Sequence, residues 1–307
     1  MRWLKRLLIG LFALLMLAMT AAYLTPLDTY VPEAERVLGE QLHEPVSIQH
    51  LRIAALPLPH LELQGVRLGG QEGIAARSIN VEPDLSALLA GETVVRRILV
   101  QDGTASLAQV RKLVDLFSNV PAAAQSTVVR ELQLSGMSLL TPGMTLGPIE
   151  GKLEFARAGE LERAWFAMDE QKITAVLLPL PGRHFSVKVQ ARAWTPPQFP
   201  QMPLDDLQVE GVLGEQDFIA QKFAVALRGI RVAGSGKVEF SDGWRVQTAL
   251  TQIDAPLEQV MALLEKPVEL TGTISAKGAL SGKAGTLGAL KDNFRFSGEV
   301  LVSRATA

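Results

Sequence analysis

The chain has no cysteine, two tyrosines, four histidines and only 6% aromatic residues among its 307 positions. The missing cysteine excludes a disulfide framework, thiolate metal sites, a cysteine nucleophile and a lipid-modified cysteine. His43, His50, His60 and His184 form no His-Glu-x-x-His or comparable metal spacing. The net charge of −2 leaves no electrostatic footprint for nucleic acid. The run from Gly278 to Lys283 has three residues between its glycines where a phosphate loop needs four, and Ala284 stands where Ser or Thr should follow the lysine. It reads as a strand and turn. Gly234-Ser235-Gly236 lacks the spacing of a nucleophile elbow and reads as a hairpin turn. Asp205-Asp206 also reads as a turn, because neighbours on a strand point to opposite faces and do not form a carboxylate pair. No catalytic residue, cofactor site or metal site is expected, and no enzyme.

What the chain does have is apolar surface: 48% of its residues are hydrophobic. Arg2, Lys5 and Arg6 precede an uncharged run over residues 7–27, which Asp28 ends. At about 1.5 Å per residue the run rises roughly 30 Å, the thickness of a bilayer core. Residues 1–28 are therefore expected to be a membrane anchor, and residues 29–307 a body on the far side, because basic residues stay in the cytoplasm. Cleavage after the small residues Thr20-Ala21-Ala22 is the alternative, and it exports the same body.

Most of that body carries a period of two. Phe185, Val187, Val189 and Ala191 alternate with polar residues, as do Val238 and Phe240, and Trp244, Val246 and Thr248. These nine residues are the candidate apolar lining. Leu61 and Leu63 change phase at Gly65 to Val66 and Leu68, as a bulge would. Helical spacing is confined to residues 31–42, a turn from Asp84 to Gly91, residues 105–118 and residues 257–264. Trp165, Trp194 and Trp244 are expected to line a core or groove. Roughly a dozen to fifteen one-sided strands face too few helices to cover them. They must cover each other in a sandwich or closed barrel, or leave an open trough, and periodicity does not choose between these.

Between residues 27 and 103 the order of motifs carries a resemblance. Leu27-Asp28-x-Tyr30-Val31-Pro32 leads into a helix, followed by Pro45-Val46-x-Ile48-x-x-Leu51. Then come Leu56-Pro57-Leu58-Pro59-x-Leu61-x-Leu63-x-Gly65-Val66-x-Leu68 and Val81-x-Pro83-Asp84-Leu85-x-x-Leu88-Leu89-x-Gly91. The set resembles the N-terminal region of the AsmA family of bacterial envelope proteins. The resemblance implies a single-pass inner-membrane protein with a periplasmic body. That body would be an elongated, curled antiparallel sheet forming an open β-groove with a few short helices. It also implies lipid acyl chains as ligands and a role in phospholipid transport and outer-membrane biogenesis. The chain is shorter than the well-known members of that family: about fifteen strands at ~4.8 Å spacing make a trough only ~70 Å long, so an envelope protein or a second copy is expected as partner to complete a route between membranes. The competing expectation is a non-catalytic envelope scaffold with a closed β-sandwich that binds protein partners.

Overall fold

The computed structural model describes residues 27–54, 58–70, 73–106, 109–110, 112, 128–141, 144–157, 159–196, 202–241, 243–263 and 271–306. The expected anchor lies outside these residues except for Leu27 and Asp28, and so does most of the expected helix at 105–118. Among the described residues no helix is long and apolar enough to cross a membrane. The chain is mainly β and divides into two compact units, Met1–Glu162 and Arg163–Ala307.

The first unit opens with a 3-10 turn, Asp28–Tyr30, and helix α1, Val31–Leu42. Pro32 sits in the first helical turn, where its missing N–H costs nothing. Val31, Ala34 and Leu38 turn toward buried Ile48, Leu51, Leu63 and Val66. Two carboxylates fasten this helical segment to the sheet. Glu35 accepts from the Ile48 N–H at 2.7 Å, and Asp28 accepts from the Leu51 N–H at 3.0 Å. The Leu51 bond, with His50 beside it, holds the Asp28 carboxyl below its ordinary range.

The strands of this unit are β1 (Val46–Ser47), β2 (His50–Ala54), β3 (His60–Leu68), β4 (Ile74–Pro83), β5 (Val94–Ser106), β6 (Val128–Val129), β7 (Glu131–Thr141) and β8 (Met144–Phe155). Helix α2, Leu85–Leu89, stands between β4 and β5. The expected Asp cap is present, since the Asp84 carboxylate accepts from the N–H groups of Ser86 and Ala87. Strand β3 pairs with β1, β2 and β4, and β4 with β5, all antiparallel.

The pairing of β5 with β6 and β7 is parallel, which departs from the all-antiparallel expectation. The physical reason is the connection. More than twenty residues separate β5 from β6, long enough for the crossover a parallel pair requires. The phase change at Gly65 is real but is not a bulge. Gln64 faces Ser78 and Val66 faces Ala76, so β3 and β4 change phase together with no residue added. The line continues through Asp102 and Gly136, which adopt φ of 47° and 67°. These left-handed residues in β3, β5 and β7 turn the apolar side chains back to one face with the register from β3 to β7 unbroken along this line, whereas β7 against β8 does shift there, Leu134 facing Gly151 and Met137 facing Ile149.

The second unit is a run of strands in sequence order: β9 (Leu161–Met168, which carries the boundary), β10 (Ile173–Leu180), β11 (His184–Trp194), β12 (Leu204–Leu213), β13 (Asp217–Leu227), β14 (Ile230–Glu239), β15 (Trp244–Pro256), β16 (Thr271–Ala284) and β17 (Phe294–Thr306). Each pairs antiparallel with the next. Helices α3, Leu257–Leu263, and α4, Leu287–Leu290, interrupt the run. The expected helix at 257–264 is α3.

Three expected turns or part-turns are strand. Asp205 and Asp206 lie in β12, where Asp206 faces Arg192. Gly234-Ser235-Gly236 is interior to β14, and Gly278 to Lys283 is interior to β16. The glycines serve packing there. A methyl on Gly234 would lie 3.1 Å from Phe223 Cζ and 2.3 Å from the Ala249 carbonyl oxygen. Bare backbone lets the phenyl ring lie across the neighbouring strand, whereas the sequence signal was read as a turn.

Within each unit the paired strands form one sheet. The closed sandwich expected as the alternative needs two packed sheets, and neither unit contains them. Burial agrees with a single layer: among the described residues no large side chain is fully buried.

Candidate functional site

The second unit has one apolar face and one charged face, and its register lines up both. Antiparallel partners share a face. Val187 faces Gly211, which faces Ala220, then Gly236, Thr248, Leu280 and finally Phe296. A second row runs Val189, Val209, Phe223, Gly234, Leu250 and Gly278. Nine strands at ~4.8 Å spacing carry this face across roughly 40 Å.

Two extra residues curl the sheet. Between β12 and β13, Glu210 faces Lys222 while Gly211 faces Ala220, so Gln221 has no partner of its own. Between β14 and β15, Ala233 faces Gln252 while Gly234 faces Leu250, so Thr251 is the extra residue. Its hydroxyl donates to the Ala233 carbonyl at 3.1 Å. Bulges bend the strand that carries them and increase its twist. Phe223 and Ile253 nevertheless stay on the apolar face, because two exposed polar residues precede each: Gln221-Lys222 and Thr251-Gln252. The curl leaves a hollow of about 180 Å³ over β12 to β15, lined by Leu207, Val209, Phe218, Phe223, Val225 and Val238.

Eight of the nine sequence-predicted lining residues lie at register positions of this face. Phe185, Val187, Val189 and Ala191 form its β11 row; Val238 faces Val246, and Thr248 faces Gly236. Phe240 lies just beyond β14, its ring centroid 6.2 Å from that of Trp244. Val238 and Thr248 border the hollow itself. Val187 and Ala191 are buried, at 8% and 1% exposure, within the sheet's own packing, whereas the other seven are half-buried. Thr248 satisfies its hydroxyl by donating to the Leu280 carbonyl at 3.2 Å. The tryptophans divide. Trp244 is on the apolar face, Trp194 packs with Leu204, Leu227 and Ile230 in a cluster that includes Val260 of α3, and Trp165 faces Val176 on the opposite side. Helix α3 therefore covers one margin of the face.

The β13 residues Phe218, Phe223 and Val225 were not predicted, nor were Leu207 and Val209. The bulge at Gln221 hides β13 from a strict two-residue period. A search allowing one slip of phase finds both halves of the strand.

Charge collects on the reverse face. Lys188 Nζ lies 2.8 Å from Glu210, Lys237 bridges Asp217 and Glu239 at 3.1 and 3.0 Å, and Arg245 adds to Glu239 at 3.4 Å. The Lys188 ammonium holds the Glu210 carboxyl below its usual range, and Glu239 with Asp217 raises Lys237. These exposed pairs contribute little stability but mark the wet side.

Other groups do not converge. His50 lies 3.4 Å from Asp28, and among the described residues no three His, Asp or Glu side chains gather as a metal site. No protein-family model, curated protein or solved structure matches the chain.

Proposed function

We propose that the chain is a membrane-anchored periplasmic protein of the AsmA type. It holds phospholipid acyl chains against the curled apolar face of its second unit, and so binds or transfers phospholipid in support of outer-membrane biogenesis. The observation that carries this reading is the sheet face itself: nine strands in register, apolar on one side, with helix α3 packed at one margin among the described residues. Residues 7–27 supply the inner-membrane tether, with the N-terminus cytoplasmic.

Acyl chains suit such a surface energetically. Exposing one to water costs about 0.8 kcal/mol per methylene, so sixteen carbons cost on the order of 12 kcal/mol. One leaflet's hydrocarbon is about 15 Å deep, which corresponds to roughly three strand spacings. A single chain therefore spans β12 to β15 in length, with part of it in the hollow, the rest along the apolar face and its headgroup at the wet rim. No covalent step is needed, because the protein replaces water around the chain and releases it unchanged.

The test is mass spectrometry of the full chain purified with its lipids, comparing Val246→Asp with Gln247→Asp. Val246 faces the apolar side and Gln247 the exposed side of the same strand. A carboxylate inside hydrocarbon costs about 3 kcal/mol, so Val246→Asp should weaken phospholipid retention roughly 100-fold. Gln247→Asp should leave it unchanged. Absence of lipid from the unaltered chain, or equal retention by the two folded variants, overturns the reading.

A further inference from the structure

Helix α2 of the first unit turns its apolar face outward. Leu85, Leu88 and Leu89 are spaced i, i+3, i+4 and so share one helical face. A surface helix ordinarily packs such a face on the core. Here the buried residue of α2 is Ala87, while Leu85, Leu88 and Leu89 are 49%, 47% and 91% exposed. Leu58, in the connection from β2 to β3, is exposed as well. Ala54 faces His60 and Leu61 faces Val81, so that connection and α2, which follows β4, lie at the same end of the first unit's sheet. Exposed apolar side chains grouped in this way mark a contact surface.

The course of the chain indicates what covers them. The Asp28 carboxylate is fastened at the Leu51 N–H and the Glu35 carboxylate at the Ile48 N–H, and beyond α1 Val46 faces Leu68 at the far end of β3. Helix α1 therefore runs away from α2, and its N-terminus is directed toward the α2 end. Leu27 packs on the Ile48, Leu51, Leu63 and Val66 cluster and is the last residue of the uncharged run 7–27. Tyr30 stands just inside that run, 62% exposed, as an interfacial aromatic would. The run expected to cross the bilayer thus joins the unit on the side of the exposed leucines. Charge offers no rival partner there. Arg96 and Arg97 are paired with Glu82, and Arg130 lies 3.7 Å from Asp84. With these cations engaged, apolar area is the unmatched property of the surface.

We propose that α2 lies in the surface of the membrane that holds the anchor, with Leu85, Leu88 and Leu89 among the outermost acyl carbons and Leu58 beside them. The occupant of this face is a lipid surface. The second contact turns a one-point tether into a fixed orientation of the first unit. The inference rests on residues 7–27 crossing the bilayer and not on lipid held by the second unit.

The chain's lack of cysteine makes the test direct. In the full chain, Leu89→Cys carries a bimane label at a position whose side chain packs on almost nothing. Ser47→Cys, exposed on β1 at the opposite end, is the control. Both go into nanodiscs of phosphatidylcholine, with and without a nitroxide on the acyl chains, and both are titrated with aqueous iodide. An inserted α2 should be quenched by the nitroxide lipid roughly threefold more than the Ser47 label, and by iodide roughly threefold less. Equal response of the two labels overturns the proposal. A Leu89 label that neither quencher reaches equally overturns it, because a protein segment or partner then covers α2. Alkaline carbonate separates this inference from the anchor reading. A chain that carbonate strips from native membranes ends both, whereas an integral chain with a Leu89 label open to iodide ends this one alone.

Discussion

Deleting Thr251 should remove the curl of β15 and leave its pairing intact. Thr251 is exposed and has no cross-strand partner. Without it, Leu250 still faces Gly234 and Gly278, Gln252 still faces Ala233, and Ile253 still faces Val232 and Ala276. The deletion forfeits one hydrogen bond, from the Thr251 hydroxyl to Ala233, and regularises the ladder around it. Each bond of this kind is worth about 1 kcal/mol, so stability should change by no more than about that amount. Deleting Gln247 is the contrast. It inverts half the strand, taking half-buried Trp244 and Val246 off the apolar face and turning Arg245 onto it. Full burial of such side chains is worth about 1.5–3 kcal/mol each, so half-burial of two, with the misplaced charge, gives a loss of at least ~3 kcal/mol. With a urea slope of roughly 2–3 kcal/mol/M, the unfolding midpoint of the second unit should fall by about 1 M for the Gln247 deletion and by far less for the Thr251 deletion. Tryptophan fluorescence in urea reads both. The Thr251 deletion should nevertheless retain less phospholipid, because straightening β15 makes the hollow shallower. Equal loss of stability in the two deletions would refute this account of the bulge.

Two other perturbations follow from the same geometry. Gly278→Val should destabilise the second unit by about 1–3 kcal/mol in the urea titration, since its Cβ would fall 2.4 Å from the Ser297 carbonyl oxygen and 2.7 Å from Gly298 Cα; a neutral result would show that β16 and β17 are not so closely apposed. In the first unit, desolvation raises the Glu82 carboxyl, but hydrogen bonds and charge from Arg97 and Arg96 outweigh it, leaving the folded-state value below its ordinary one. A depressed acid stabilises the fold above its unfolded value and loses that contribution as pH falls through the folded one. Thermal stability of the first unit should therefore decline below about pH 4.5, and Glu82→Gln should reduce that dependence; an identical pH profile in the variant would remove Glu82 as a contributor.

The lining residues on β11 and β15 were legible because their alternation is unbroken over at least five residues, the simplest signature of a one-sided strand. Strand β13 was not, because Gln221 interrupts the period. The curl depends on such interruptions, so the residues that shape the hollow are the ones that weaken its sequence signal. Glycine misled in the other direction. Gly234 and Gly236 resemble a turn, yet they sit mid-strand where the Phe223 ring and the Thr248 side chain need the room. The parallel pairing of β5 with β7 was illegible for a different reason: strand direction depends on how the connecting segment crosses, and no residue within either strand encodes it. Openness of the apolar face was likewise beyond periodicity, since the same alternation serves a sandwich and a trough. The registers of the assembled strands resolve it within each unit.

The account turns on whether hydrocarbon lies against the inner face of β15. Full-length chains retaining only Trp244 or only Trp165, with the other tryptophans changed to phenylalanine, provide the measurement when loaded with phospholipid brominated on its acyl chains. Trp244 lies on the apolar face and Trp165 on the reverse. The account predicts strong bromine quenching of Trp244 fluorescence and little of Trp165, and equal quenching of the two, or none at Trp244, would contradict it.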